Sequence, residues 1–401
     1  MRNRSEEFVF NICKDTFLSL WSYANPQGKK EKELCDILVV CESNIIIFSV
    51  KEIKLTESSE ITTDWERWNR RAVEESSKQI YGAERWIKSA PYVIRSDGKR
   101  GLPLPEAKDQ IIYRVAVALG GENKVPMFYG DLGKGFIHVF DETSFILILQ
   151  ELDTISDFID YLSAKEELYT SGAKTPLLAG EENLLALYLN GGRKFPTNFD
   201  SLLIDNNMWD SFVSSSSYRN KEKADTDSYV WDRLIEQFCK DALNNNLEFG
   251  TLNQTERALR ILAKENRFSR RILGKAFKNF LESSKKVESR MVKSPSGIVY
   301  VFLALPHGED RKFRIASLGN RCFVARGMNK ESDTIVGIAT EQYEKGKGFS
   351  LDLYCLHLPV WKKKHQDSFE AMQKDLKYFR RPAKTKISED EYPNNNEGKN
   401  D

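Results

Sequence analysis

The chain has little of what marks several special classes of protein. Only four histidines and six cysteines occur among 401 residues, and no two cysteines form a CxxC pair. Neither residue type shows the spacing of a zinc site, and scattered cysteines predict reduced thiols in a cytoplasmic protein. No apolar run approaches the roughly 18–20 residues of a membrane span, so we expect no membrane partner.

The chain also lacks a strong excess of charge. Its formal net charge is +1, so any surface that attracts nucleic acid has to be local. The length exceeds that of one ordinary domain. Changes in character predict four parts: a mixed-sheet α/β domain flanked by helices over 1–170, a mainly helical region with a basic stretch over 171–293, a small antiparallel β-rich domain ending in a helix over 294–382, and a disordered tail over 383–401.

The stretch from Glu31 to Lys54 predicts the centre of the first domain. Two short apolar strands, Ile37–Val40 and Ile45–Val50, are joined by a polar turn. In a hairpin, the start of one strand lies beside the end of the other. Asp36 and Lys51 should therefore meet at one rim of the sheet.

Other elements follow from periodicity. Helical spacing of apolar residues predicts a helix over 5–23 and a long helix over 63–90. Apolar runs predict strands over 110–119, 136–140 and 144–149, the last with passage into a helix as an alternative. An amphipathic helix is expected over 153–167. Short apolar segments of the C-terminal region, including KFRIASL and RCFVARG, predict an antiparallel sheet.

The hairpin and its neighbours resemble the restriction-endonuclease-like superfamily, the PD-(D/E)xK nucleases. The pattern of that family is a helix with an early Glu, a strand bearing Asp, a second strand ending in Glu-x-Lys, and then a helix. Here Glu6 or Glu7 lies on the first helix, Asp36 opens the first strand, and Phe48-Ser49-Val50-Lys51 takes the place of the second strand's end. Gln79 resembles a glutamine that follows this core in several branches. The resemblance covers roughly residues 1–90.

The resemblance implies a nuclease that uses Mg²⁺ or Mn²⁺ and acts on DNA, in a setting of prokaryotic defence against foreign DNA. Asp36 would hold the metal, with Glu33 and Glu7 as candidate further ligands. The metal would activate a water and stabilise charge on the scissile phosphate. Lys51 would orient that water or stabilise the transition state. Gln79 would position phosphate or water.

Ser49 departs from the pattern, because it stands where the second metal-binding carboxylate is expected. A serine hydroxyl is a poor ligand for a hard divalent cation. The missing acid can come from Glu52 in the literal Glu-x-Lys of 52–54, from Glu74 or Glu75, or from Glu33. The remaining alternative is a degenerate site in a scaffold that binds nucleic acid, a partner protein or a second copy of the chain.

A basic stretch in the middle region is a second candidate for nucleic-acid binding. Between Thr251 and Lys293 the chain has twelve Lys or Arg and four Glu. Helical spacing places several of the cations on one face, where they can bind a phosphate backbone. The alternative is an ordinary solvated face paired with acids elsewhere. The four residues that we select are Arg260, Lys264, Arg267 and Arg271.

Overall fold

The structure is a computed structural model that describes residues 4–54, 61–121, 130–171, 180–197, 202–244, 246–286, 288–379 and 389–393. The chain forms two compact units, Met1–Ser215 and Ser216–Asp401. Each unit has a sheet of its own. None of the helices in the described ranges is both long and apolar enough to cross a membrane.

The first unit combines strands with helices. Its described strands are β1 (Ser22–Ala24), β2 (Ile37–Cys41), β3 (Asn44–Glu52), β4 (Tyr92–Ile94), β5 (Arg100–Pro103), β6 (Ile111–Leu119), β7 (Gly130–Asp131) and β8 (Phe136–Phe140). Its described helices are α1 (Arg4–Phe17), α2 (Ile61–Asn69), α3 (Glu75–Ile87), α4 (Glu142–Glu151), α5 (Ile155–Thr170), α6 (Glu181–Asn190) and α7 (Met208–Val213). A π-helical turn, Arg70–Glu74, joins α2 to α3, so the long helix predicted over 63–90 is confirmed.

Six strands of the described residues form a mixed sheet in the order β1-β2-β3-β6-β8-β7. The predicted hairpin of β2 and β3 is antiparallel, whereas β3 pairs with β6, and β6 with β8, in parallel. Every residue of β2 and β8 is buried. The central strands are mainly apolar because helices cover both faces of the sheet. The mixed sheet flanked by helices, which the sequence predicts for this domain, is therefore confirmed.

The strand predicted over 144–149 is instead part of helix α4, as the alternative allowed. Asp141 accepts a hydrogen bond from the backbone N–H of Ser144 at 2.8 Å, and the Ser144 hydroxyl oxygen accepts one from the backbone N–H of Asp141 at 3.0 Å. This capping box fixes the start of the helix. The apolar run then packs as a helix through Phe145, Ile148 and Leu149.

The second unit contains a smaller sheet and six helices within the described residues. The helices are α8 (Ser216–Asp225), α9 (Tyr229–Leu243), α10 (Leu252–Ala263), α11 (Arg267–Ser283), α12 (Arg311–Met328) and α13 (Lys363–Leu376). The strands are β9 (Ser289–Lys293), β10 (Val299–Leu305), β11 (Thr334–Glu341) and β12 (Leu351–His357), in the order β12-β11-β10-β9.

The expectation of a purely antiparallel C-terminal sheet is wrong. KFRIASL and RCFVARG are not two strands but one helix, α12, and the flanking strands β10 and β11 pair in parallel. Parallel neighbours need a crossover, which α12 supplies. Gly319, which suggests a turn in the sequence, lies inside α12, where a Cβ would meet the Tyr354 ring at 3.2 Å.

The helical middle region, predicted over 171–293, divides between the two units. Helices α6 and α7 belong to the first unit, and α8 to α11 belong to the second. Trp231 of α9 packs edge-on against Tyr300 of β10, and Phe277 of α11 packs likewise against Phe302. These contacts give the four-stranded sheet its helical cover.

Candidate active site

The candidate site lies at the rim where β2 begins and β3 ends. The register pairs Ile37 with Phe48, so Asp36 lies beside the C-terminal half of β3. The side chain of Asp36 is only 3% exposed, and its Oδ2 accepts a hydrogen bond from the backbone N–H of Val50 at 2.6 Å. The fold thus holds a carboxyl group in the interior at a strand end.

Asp36 has an unbalanced electrostatic environment. Burial raises the pKa of its carboxyl to about 6, against the stabilising effects of the Val50 N–H and the Lys51 ammonium. The exposed carboxyl of Glu33 hydrogen-bonds to Asp36 and contributes to this rise in the pKa. Two acids therefore lie near one lysine, an arrangement that favours binding of a proton or a cation at Asp36.

Ser49 is fixed by the helix that follows the hairpin. Its side chain is fully buried, and its hydroxyl donates a hydrogen bond to Oε1 of Gln79 on α3 at 2.7 Å. Gln79 therefore points towards the sheet. Its partner Ser49 lies two residues before Lys51 on the same face of β3. The bond is neutral, so the position where the family pattern expects a carboxylate adds no charge to the site.

Glu52 and Glu7 lie on the other side of the sheet. Successive side chains of a strand point to opposite faces, so Glu52 faces away from Ser49 and Lys51. It accepts a hydrogen bond from the hydroxyl of Ser5 on α1, the helix whose Phe17 packs on Phe48. Glu7 is exposed on the same helix. The structure does not bring either acid to Asp36.

The residues beside Asp36 suit a cation that keeps much of its water. In the described residues no group of three or more His, Cys, Asp or Glu side chains is arranged to hold a metal ion. Mg²⁺, however, is often bound by one or two carboxylates, with waters and substrate phosphates as the other ligands. Asp36 and Glu33 supply that number of carboxylates, so the donor set fits.

A basic cleft lies along the same helix as Gln79, and sequence reasoning missed it. It has a volume of about 470 Å³ and is lined by α3 and by the loop between β7 and β8. The lining residues are Glu74, Ser77, Lys78, Tyr81, Arg85, Leu132, Gly133 and Lys134. The lining residues that belong to α3 recur at helical spacing. That polar stripe is the feature of the sequence that could have predicted the cleft.

The basic residues selected in the second unit are not all accessible. Arg267 donates to Asp232 at 2.6 Å and is 4% exposed, while Arg271 is 1% exposed and donates to Asp225 at 3.2 Å. Both are therefore buried ion-pair partners in this structure, whereas the sequence selects them as candidates for binding a phosphate backbone. Arg260 is partly exposed near Glu256, and Lys264 is exposed.

Comparisons with known proteins give no further assignment. No protein-family model matches the chain, and no curated protein matches it. Function therefore has to follow from the geometry and charge of the site.

Proposed function

We propose that the first unit is a metal-dependent nuclease of the restriction-endonuclease-like type, with its active site at Asp36, Glu33, Lys51 and Gln79. The observation that carries the proposal is the buried Asp36 carboxyl, whose pKa is raised to about 6 beside a second acid and a lysine. Strongly perturbed acids of this kind cluster at functional sites. DNA is the proposed substrate, and defence against foreign DNA is the role that the resemblance favours.

Each residue of the proposed site has a chemical role. Asp36 and Glu33 would hold Mg²⁺ or Mn²⁺, which when bound supplies an activated water and neutralises charge on the phosphate. The Val50 N–H keeps the Asp36 carboxyl oriented. The Lys51 ammonium stabilises the negative charge that develops on the phosphate oxygens. Gln79, held by Ser49, orients a phosphate oxygen or the attacking water.

The cleft on α3 fits an extended anionic substrate. Lys78, Arg85 and Lys134 line it with one acid, Glu74. Lys78 directly precedes Gln79 in the chain, so the same helix contributes residues to the cleft and to the proposed site. A DNA strand lying there would be bound through its phosphates, without base recognition.

One observation favours a second candidate, a degenerate domain that binds without cleaving. Ser49 occupies the position of the expected carboxylate and is engaged in a neutral hydrogen bond with Gln79. If Glu33 does not complete the metal site, the same rim and cleft would bind nucleic acid or a partner protein as a scaffold.

Plasmid degradation in Mg²⁺ or Mn²⁺ separates the two candidates. We expect cleavage by the wild type and a loss of at least roughly a hundredfold in Asp36→Asn and in Lys51→Met, since both act on the transition state. Glu52→Gln is the matched control, because that acid lies on the opposite face, and it should cleave like the wild type.

Equal cleavage by all four proteins would contradict the site. Absence of cleavage with any metal, on duplex and single-stranded DNA, would favour the scaffold. In that case Ser49→Asp adds the missing acid beside Asp36, and gain of Mn²⁺-dependent cleavage by that variant would mark the domain as a degenerate nuclease.

A further inference from the structure

A short acidic segment near the C-terminus is bound to the second unit. The sequence predicts a disordered tail over 383–401, yet residues 389–393 are described and lie against α8 and α11. Glu389 is only 20% exposed, and Glu391, Tyr392 and Pro393 are partly buried.

The segment is held by cationic and polar side chains. Arg271 donates from Nη2 to the carbonyl oxygen of Asp390 at 2.7 Å and from Nη1 to that of Glu391 at 3.2 Å. The Lys275 ammonium donates to the Glu389 carboxylate at 2.5 Å. At the other end, Asn220 of α8 donates to the carbonyl oxygen of Pro393 at 3.0 Å.

The bound segment presents two carbonyl oxygens to Arg271 and one carboxylate to Lys275. Arg271 and Lys275 are one helical turn apart on α11, so they face the same side. A guanidinium next to an ammonium is a good donor set for phosphate oxygens. In the structure the Arg271 side chain is only 1% exposed, and its guanidinium contacts both the tail and Asp225 of α8.

We propose that Glu389–Pro393 is a built-in ligand that masks a polyanion-binding surface on α8 and α11. With the tail in place, Arg271 is occupied by the chain itself. When the tail is displaced, Arg271 and Lys275 become available to the phosphate backbone of a nucleic acid. The basic stretch found in the sequence is thus a binding surface that a segment of the same chain blocks.

The test compares two full-length variants with the same change in net charge. The tail variant carries Glu389→Gln, Asp390→Asn and Glu391→Gln. The control carries Glu309→Gln, Glu331→Gln and Asp367→Asn, which are exposed acids outside the tail. Binding of a fluorescein-labelled 20-base-pair DNA is measured by anisotropy at low salt in EDTA, so that cleavage at Asp36 plays no part.

We expect the tail variant to bind DNA at least about tenfold more tightly than the wild type, since two or more phosphate contacts are released. The control should gain no more than about twofold from its net charge. A synthetic peptide of residues 386–395 should compete with DNA for the tail variant. Adding Lys275→Ala to the tail variant should remove most of its gain in DNA affinity.

Equal DNA affinity of the wild type and the tail variant, or an equal gain in the control, would overturn the proposal. Asn220→Ala provides a second arm that leaves every charge in place. It should loosen the tail and raise DNA affinity in the same direction, by a smaller factor. If the tail variant unfolds, unchanged DNA affinity in the folded Asn220→Ala protein also contradicts the proposal. Tighter binding of heparin without tighter binding of DNA would point to another polyanion and overturn the nucleic-acid assignment.

Discussion

Two largely buried aspartates, one in each unit, have pKa values that are shifted in opposite directions. Asp232 lies between Arg267 and Arg270, at 2.6 and 2.7 Å, and the two guanidinium groups lower its pKa in spite of burial. At Asp36, burial and the neighbouring Glu33 raise the pKa, and only Lys51 and one N–H lower it. The pKa therefore rises to about 6. The charge of Asp232 is thus compensated by its neighbours, whereas that of Asp36 is not. Uncompensated charge costs stability, which proteins accept mainly at functional sites.

Removing the compensated acid should have the largest effect on stability. Asp232→Ala leaves Arg267 and Arg270 buried with no carboxylate between them, and breaking such a pair is strongly destabilising. We expect a loss of roughly 3 kcal/mol, or about 10 °C in the Tm of the second unit. Differential scanning calorimetry measures it. Glu331→Gln, which removes an exposed acid beside Lys293, should change the free energy of unfolding by less than about 0.5 kcal/mol. A similarly small change in the free energy of unfolding of both variants would contradict the contrast between the two buried aspartates.

Neutralising the uncompensated acid should do the reverse. The folded pKa of Asp36 lies above its ordinary value of 3.8, so wild-type stability falls as pH rises from about 4 to about 6. Above that range Asp36→Asn should stabilise the first unit by up to about 3 kcal/mol, and below pH 4 it should have no such effect. Urea unfolding at pH 3.5, 5 and 8 follows the change. Asn still accepts from the Val50 N–H, so a loss of stability at pH 8 would refute the uncompensated state of Asp36.

The bond that fixes Gln79 should have the smallest effect. Ser49→Ala removes one neutral hydrogen bond and leaves Gln79 able to reach water, because its side chain is partly exposed. We expect a loss of about 1 kcal/mol, with little dependence on pH. If the nuclease proposal holds, the cleavage rate should fall by more than the loss of stability explains, because Gln79 is then no longer oriented. Urea unfolding and plasmid cleavage on the same protein separate the two effects.

Much of the first unit could be predicted because its signals are local. Two apolar runs and a polar turn specify the β2–β3 hairpin, and pairing then places Asp36 at the end of β3. The Ser49–Gln79 bond could not be predicted, since it depends on how α3 crosses β3, thirty residues away along the chain. The same holds for Arg267 and Arg271, whose acidic partners lie 35 and 46 residues earlier.

The second unit was harder to predict, for two physical reasons. In α12 the apolar residues fit short strands as well as a helix, and the Gly319–Asn320 pair is typical of a turn. Parallel pairing of β10 and β11 joins segments that are separated by that whole helix, and no local signal records it. The position of residues 389–393 is likewise set by partners more than a hundred residues away.

The central claim is that Asp36 and Glu33 hold a divalent cation for phosphodiester hydrolysis. Isothermal titration calorimetry with MnCl₂, in buffers of different ionisation enthalpy, tests it most directly. We predict one site in the wild type, with proton release near pH 6 that disappears towards pH 8, because the metal displaces the proton held by Asp36. Asp36→Asn should lose the site and Glu52→Gln should keep it. Equal Mn²⁺ binding by the wild type and Asp36→Asn, or none by the wild type, would contradict the account.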